Sequence, residues 1–219
     1  MIDLHTHTTF SDGVLIPAES ARRAKQAGYE AIAFTDHADH SNLHLILDNV
    51  RKVADAYSPY ANIDLFHGVE ITHVPAGLIA DLTARARRAG AQLVVVHGET
   101  PVEPVEPGTN LAAINAGVNI LAHPGLITAD ETRLAAERGV YLEITTRKGH
   151  SLTNGHVAKM AREYGAKLVI NNDFHEPGDY VSKELRKTVA LGAGLTPEEY
   201  LQAEANSRAI LQSLISLVA

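Results

Sequence analysis

Histidines and carboxylates recur along this chain in pairs and triplets that could bind metal ions. They are His5-x-His7 with Asp12 in Ser11-Asp12-Gly13, Thr35-Asp36-His37, Gly68-Val69-Glu70, His97-Gly98-Glu99, His123-Pro124-Gly125 and Asp173-Phe174-His175. Twelve histidines against two methionines and no cysteine is an unusual allotment. Without thiolates any bound metal must use nitrogen and oxygen, which suits zinc, manganese or iron. Disulfides and a cysteine nucleophile are excluded on the same ground. Side chains alternate along an extended strand, so both imidazoles of His5-x-His7 point to one face, and Asp173-x-His175 repeats that geometry. Glu70, with two carboxylate oxygens, is the natural bridge between two ions. A lone histidine is more often a surface or hydrogen-bonded core residue, and solvent exposure is the expected account of most of His40, His44, His67, His73 and His156. The grouped residues are different. Burying so many polar groups at apolar strand ends would be costly unless a shared centre paired them.

The segment Thr145-Thr146-Arg147-Lys148-Gly149-His150 adds a cationic turn after a strand whose one candidate ligand is Glu143. Arg147 offers a planar donor fork that matches phosphate, Lys148 a point charge, and Gly149 room for close backbone approach. A basic turn beside an acidic metal cluster suits an anionic substrate.

Elements that could position these groups are legible as a repeat. Helix-like segments pass through Gly28, Gly90, Gly117, Gly139 and Gly165 into short apolar runs such as Leu93-Val94-Val95-Val96 and Leu168-Val169-Ile170. Glycine ends a helix in the left-handed conformation, and continuous Val/Ile/Leu runs suit parallel strands covered on both faces. Helix starts are marked by Pro17, by the capping boxes Thr128-x-x-Glu131 and Thr196-x-x-Glu199, and by a cap at Ser151 or Thr153. With an opening strand at residues 1–5 and another near Ile63–Ile71, seven strands alternate with helices. In such a barrel the strand ends converge at one mouth, so distant residues meet there. The proline-rich segment Pro101–Pro107 reads as a loop at that mouth.

No Gly/Ser/Pro-rich linker divides residues 1–219, and a single domain is expected. A net charge of −7 argues against a surface that tracks long nucleic acid but leaves room for a local anion pocket. No apolar run is long enough to span a bilayer, and no membrane partner is expected. Met1 leads directly into Asp3-Leu4-His5, which leaves no space for a secretory leader and gives a cytoplasmic location as the expectation.

Taken in order across nearly the whole chain, these motifs resemble those of the polymerase and histidinol phosphatase (PHP) family. The resemblance implies an α/β fold, a distorted seven-stranded (β/α)7 barrel of TIM-like form, with two or three divalent metal ions at its C-terminal mouth. Carried over by position, one ion would be held by His5, His7, Glu70 and Asp173, a second by Glu70, His97 and His123, and a third by Asp12, His37 and His175. Several histidinol-phosphatase-like members carry a histidine where this chain has Asp12. Oxygen for nitrogen there would loosen the third site or favour manganese or iron over zinc.

The function expected is hydrolysis of a small phosphorylated metabolite, a phosphate monoester, by attack of metal-bound hydroxide on phosphorus. Glu70, Asp173 and His175 would form the catalytic set, and Arg147, Lys148 and His150 would bind substrate. A nucleotide or short-oligonucleotide phosphoesterase shares the metal chemistry and is the nearest alternative. A non-catalytic metal-binding or regulatory module is the alternative of another class. Oligomeric state, physiological substrate and leaving-group acid are left open.

Overall fold

Short buried runs of Val, Ile, Leu and Ala form a single parallel sheet that rolls up into a nearly closed barrel. The computed structural model describes residues 1–216. Its strands are β1 (Ile2–Thr6), β2 (Ala31–Phe34), β3 (His37–Ala38), β4 (Asp64–Ile71), β5 (Leu93–His97), β6 (Ile120–Ala122), β7 (Tyr141–Thr145) and β8 (Leu168–Asn171). Between them run α1 (Pro17–Gln26), α2 (Leu43–Ala61), α3 (Ile79–Arg88), α4 (Thr109–Ala116), α5 (Ala129–Arg138) and α6 (Asn154–Tyr164), with α7 (Lys183–Gly192) and α8 (Pro197–Ser216) at the end. The order β1-β2-β4-β5-β6-β7-β8 is that of the expected seven-stranded barrel, and β3 is a short second segment of the β2 position, since both pair with β4.

The break between β2 and β3 has a local cause. Asp36 turns inward and accepts the Thr8 backbone N–H at 2.7 Å and the Ser11 hydroxyl at 2.7 Å, while the Thr35 hydroxyl accepts from Thr6 N–H at 3.1 Å. These side chains fold the β1–α1 loop over the mouth, while the backbone of Thr35 still donates to Thr6 O at 2.9 Å and accepts from Glu70 N–H at 3.0 Å.

The helix signals are realised. Pro17 opens α1, Thr128 and Glu131 cap α5 reciprocally, and Thr196 and Glu199 do the same for α8. The expected cap at Ser151 or Thr153 is not made. A 3-10 turn spans His150–Thr153, and the start of α6 is fixed by Asn154, whose amide exchanges bonds with both backbone groups of Thr145. His67 also departs from expectation, being buried. It alternates with Phe66, an interior residue, and so lies on the outward face of β4, which α2 covers.

Alternate strand residues divide the core. Ile32, Phe34, Val69, Val94 and Ile144 pack outward against helix residues such as Leu47, Leu82 and Val157. Ile2, Leu4, Phe66, Val95 and Val169 face inward, where Ile210, Leu211 and Leu214 of α8 join them. Burial of each such α8 side chain stabilises by about 1.5–3 kcal/mol.

Backbone pairing does not fully close the barrel between β1 and β8. At the mouth, Thr6 bridges Phe174, and His7 N–H donates to Phe174 O at 2.8 Å. Further down, side chains span the seam. Asn171 Oδ1 accepts from Leu4 N–H at 2.9 Å, and Asp3 Oδ1 accepts from Asn172 N–H at 3.2 Å. The fully buried Arg186 of α7 donates to Ile2 O at 2.7 Å and to Ile170 O, and pairs with Glu204 of α8 at 2.6 Å. Losing the arginine leaves the buried carbonyls of Ile2 and Ile170 without their donor and the partly exposed Glu204 without its partner. Arg186→Met is therefore expected to lower unfolding free energy by about 3–5 kcal/mol, measured by urea titration; an unchanged midpoint would show that the seam does not depend on this clasp.

Candidate metal centre

The strands bring the dispersed ligand candidates to one end of the barrel. His5 lies in β1 with His7 just beyond it, Glu70 in β4, His97 at the end of β5, His123 after β6, and Asp173 and His175 after β8. His5 Nε2 stands 3.2 Å from Glu70 Oε1 and 3.7 Å from Asp173 Oδ1. His7 Nε2 stands 3.2 Å from Asp173 Oδ1 and 3.7 Å from Glu70 Oε2. Glu70 thus turns one oxygen toward His5 and His123 and the other toward His7 and His37, the disposition a bridging carboxylate needs. Asp12, on the loop after β1, reaches His37 Nε2 at 3.4 Å and His175 Nε2 at 3.1 Å.

Donor atoms fall into overlapping groups whose members lie within 4.8 Å of one another: His5/His7/Glu70, His5/His123/Asp173, His7/Asp12/His37/His175 and His97/His123/His150. Several are buried without a hydrogen-bond partner, namely His5 Nε2, both ring nitrogens of His7 and of His123, and Glu70 Oε1. Orphaned buried polar atoms are costly, and a bound cation would satisfy them together. This is the observation that fits the residues to metal.

The surrounding bonds prepare the rings for that role. His5 Nδ1 is held by Glu143 Oε2 at 2.9 Å, and Glu143 in turn accepts from Asn171. His97 Nδ1 faces Gly98 O at 3.2 Å and His175 Nδ1 faces Asp173 O at 3.0 Å, so each leaves Nε2 toward the mouth. His123 and Asp173 both hold positive φ, 26° and 54°, a strained conformation for such residues and one that concentrates at working sites.

Charge balance follows from the same geometry. Burial alone would raise Glu70 and Asp173, but His5, with His37 and His7 beside them, holds both carboxyls well below their usual range. Burial and the neighbouring His37 push His7 down to about 3, and burial with His97 pushes His123 well down. Burial opposes a charge on His5 and His37, yet Glu143 and Glu70 raise His5, and Glu70 and Asp12 raise His37 to about 10. At neutral pH the carboxylates are ionised and two imidazoles neutral, ready as ligands, while His5 and His37 carry protons that a cation would displace.

Arg147 and His150 join this end of the barrel in different ways. Arg147 donates to Asp173 O at 3.2 Å and to Asp179 Oδ2 at 3.3 Å, beside a cleft of about 350 Å³ that is also lined by Asp12, His37, His97 and His175. Lys148 is exposed and lines a shallower depression with Glu176 and Asp179. His150 is buried against His97 and His123. Sequence spacing does not single out Glu103, yet its carboxylate reaches His97, His73 and His150. The signal that points to it is position, in the loop that follows the His97 strand. His40, His44 and His73 are exposed as expected, and His73 also meets Glu103 at 3.3 Å.

Metal and proton compete for the same donors. Adding manganese or zinc to chelator-treated protein at 100 times Kd is expected to raise stability by about 2.7 kcal/mol, with protons released on binding. Because the raised pKa values belong to groups that must deprotonate, affinity should climb as pH rises toward that of His37. Thermal scans and calorimetry in buffers of different ionisation enthalpy would show it; a melting curve indifferent to metal would remove the case for this centre.

A model of the PHP domain matches residues 3–102. An uncharacterized protein of Methanocaldococcus jannaschii is 48% identical over 199 residues, which cover 90% of this chain and 91% of that protein. A protein of Thermoanaerobacter sp. strain X514 named as a probable phosphatase is 28% identical over 231 residues, 93% of this chain and 91% of that one. Among solved structures, a chain of an archaeal ribonuclease P with mature tRNA superposes with a TM-score of 0.71 at 17% identity, covering 99% of this chain and 92% of that chain, a likeness of fold. The domain match, the near-full-length relative and the strand-end ligand pattern agree: this chain belongs to the polymerase and histidinol phosphatase (PHP) family.

Proposed function

We propose that this chain is a metal-dependent phosphoesterase that hydrolyses a small phosphate monoester, in the manner of histidinol phosphatase. The observation that carries the reading is a buried set of histidine and carboxylate donors with orphaned atoms, opening into a cleft where Arg147 supplies the cationic fork. The family assignment and the phosphatase name of a relative across nearly its whole length point the same way.

His5, His7, Glu70 and Asp173 would hold one ion, Glu70, His97 and His123 a second, and Asp12, His37 and His175 a third. Zinc, manganese and iron all suit these donors. Bound divalent cations supply Lewis acidity toward water and toward the phosphoryl oxygens. The chain's own residues do the rest. Glu70 and Asp173, kept ionised by their histidine neighbours, hold the ligand rings in register. Arg147 is pre-aimed, because Asp179 fixes its guanidinium while also accepting the backbone N–H groups of His175 and Glu176. A phosphoryl group entering the cleft would meet that fork and have its charge shared. Water is the nucleophile in this reading, since Ser11 donates its hydroxyl to Asp36, a carboxylate already engaged by Thr8. A cytoplasmic setting would suit such a metabolite.

Glu70→Gln preserves shape but removes the bridging charge, and it should lower chelator-sensitive hydrolysis of an aryl phosphate by at least about a thousandfold, roughly 4 kcal/mol in the barrier. Full activity in that variant would end the bridging role. Arg147→Ala should leave metal content intact while kcat/KM for phosphate monoesters falls about a hundredfold, with Arg147→Lys recovering only part. Assay of histidinol phosphate, a nucleoside monophosphate, a 3′,5′-bisphosphate and a short oligonucleotide on protein of measured metal content tests the substrate class. Preference for the nucleotides would favour a nucleotide phosphoesterase, and silence on every phosphate would overturn the reading.

A further inference from the structure

We infer that His150 and Glu103 are additional ligands of the cation held by His97 and His123, so that this chain surrounds that ion with three imidazoles and a loop-borne carboxylate besides Glu70. The inference rests on the metal reading above and goes beyond it.

Nitrogen atoms of His97, His123 and His150 lie within 4.8 Å of one another, as close as those of the other groups at the mouth. The His150 ring stacks on His123 with centroids 4.2 Å apart, and His97 meets His123 edge-on at 4.5 Å. His150 is 5% exposed, and its Nδ1 is fixed by the Thr100 hydroxyl at 2.8 Å. That arrangement leaves Nε2 aimed at the cluster, as in metal-bound histidines whose second nitrogen is anchored. His123, 1% exposed, has both nitrogens without partners and faces the same space.

Glu103 approaches from above. Its Oε2 stands 3.2 Å from His97 Nε2 and its Oε1 3.3 Å from His150 Nε2, with His73 Nε2 on the outer side at 3.3 Å. The separations from His97 and His150 are short enough for one small cation to be shared between the carboxylate and those two rings. The loop that carries Glu103 is pinned at both ends. Glu99 Oε1 accepts from Gly108 N–H and Asn110 N–H, each at 2.9 Å, and Asn110 returns a bond to Glu99 N–H at 3.0 Å. Pro101, Pro104 and Pro107 restrict the span between. Val102 lies over Gly149, where a Cβ would come within 3.5 Å of its methyl, so the loop runs beside the His150 turn. A pinned loop that delivers a carboxylate to the Nε2 atoms of His97 and His150 is built to hold a cation in common with them.

The test compares metal affinity in wild type, Glu103→Gln and His150→Gln. Each protein is stripped, reloaded with Mn²⁺ or Zn²⁺ and titrated with competing chelators, with bound metal counted by mass spectrometry; Co²⁺ absorption reports the ligand field of the same site. One population of ions should be held about 10-fold or more weakly in Glu103→Gln and about 100-fold more weakly in His150→Gln, with the Co²⁺ band altered. Glu103 is partly exposed, on a loop outside the core, so the first variant decides the matter if the second misfolds. Chelator midpoints and Co²⁺ spectra equal to wild type in Glu103→Gln would overturn the inference, leaving the phosphoesterase reading in place if aryl phosphate is still hydrolysed. Weakened metal binding with no phosphate turned over by wild type would uphold the inference and sink that reading. A wild-type protein that binds no metal would overturn both.

Discussion

Everything at the mouth depends on holding β1 against the chain that follows β8. A sheet of seven strand positions must curve more tightly to close than one of eight, and here the last seam is crossed by side chains where backbone pairing is missing. Arg186 clasps the carbonyls of Ile2 and Ile170, Asn171 and Asp3 take over the amides of Leu4 and Asn172, and only near Thr6 and Phe174 do main chains meet. That seam sets the spacing of His5 and His7 against Asp173 and His175, which come from opposite ends of the ligand order. The metal centre and the closure of the fold are therefore one structural problem, and a polar solution serves both.

The polar solution carries a cost. Fully buried Glu70, Glu143, Asp173 and the imidazoles around them give up hydration that no apolar packing returns. Charge on His5 and His37 offsets part of that cost, and the positive φ of His123 and Asp173 adds to it. Catalytic sites characteristically store such frustration, because donors arranged for a charge that arrives later are poorly satisfied before it does. The apolar interior sealed by α8 offsets that penalty from below.

Much of this was legible in the sequence because parallel strands buried on both faces read as continuous apolar runs, and because barrel topology makes strand ends meet. His5, His7, Glu70, His97, His123, Asp173 and His175 follow from those two facts. Asp36 sits inside a metal-like motif yet serves as an anchor for Thr8 and Ser11, a role that only the folded loop reveals. Arg186 reads as an ordinary helix arginine, since nothing periodic distinguishes a cation that turns into a seam from one that faces water. Glu103 is hidden for a related reason: loops lack a repeat, and the direction of a carboxylate in a proline-rich span depends on what pins its ends. His67, outward on its strand, looks exposed until α2 is placed over it.

The donors that converge at the mouth are spread from His5 to His175, and the clasp beneath them reaches to Glu204. Contacts between such distant stretches form late and slow the search for the native state. During synthesis His5 and His7 emerge first, and their partner Asp173 only after most of the chain has followed. A truncated product ending before β8 would lack Asp173 and His175, and with them the carboxylate that stands between His5, His7 and His123.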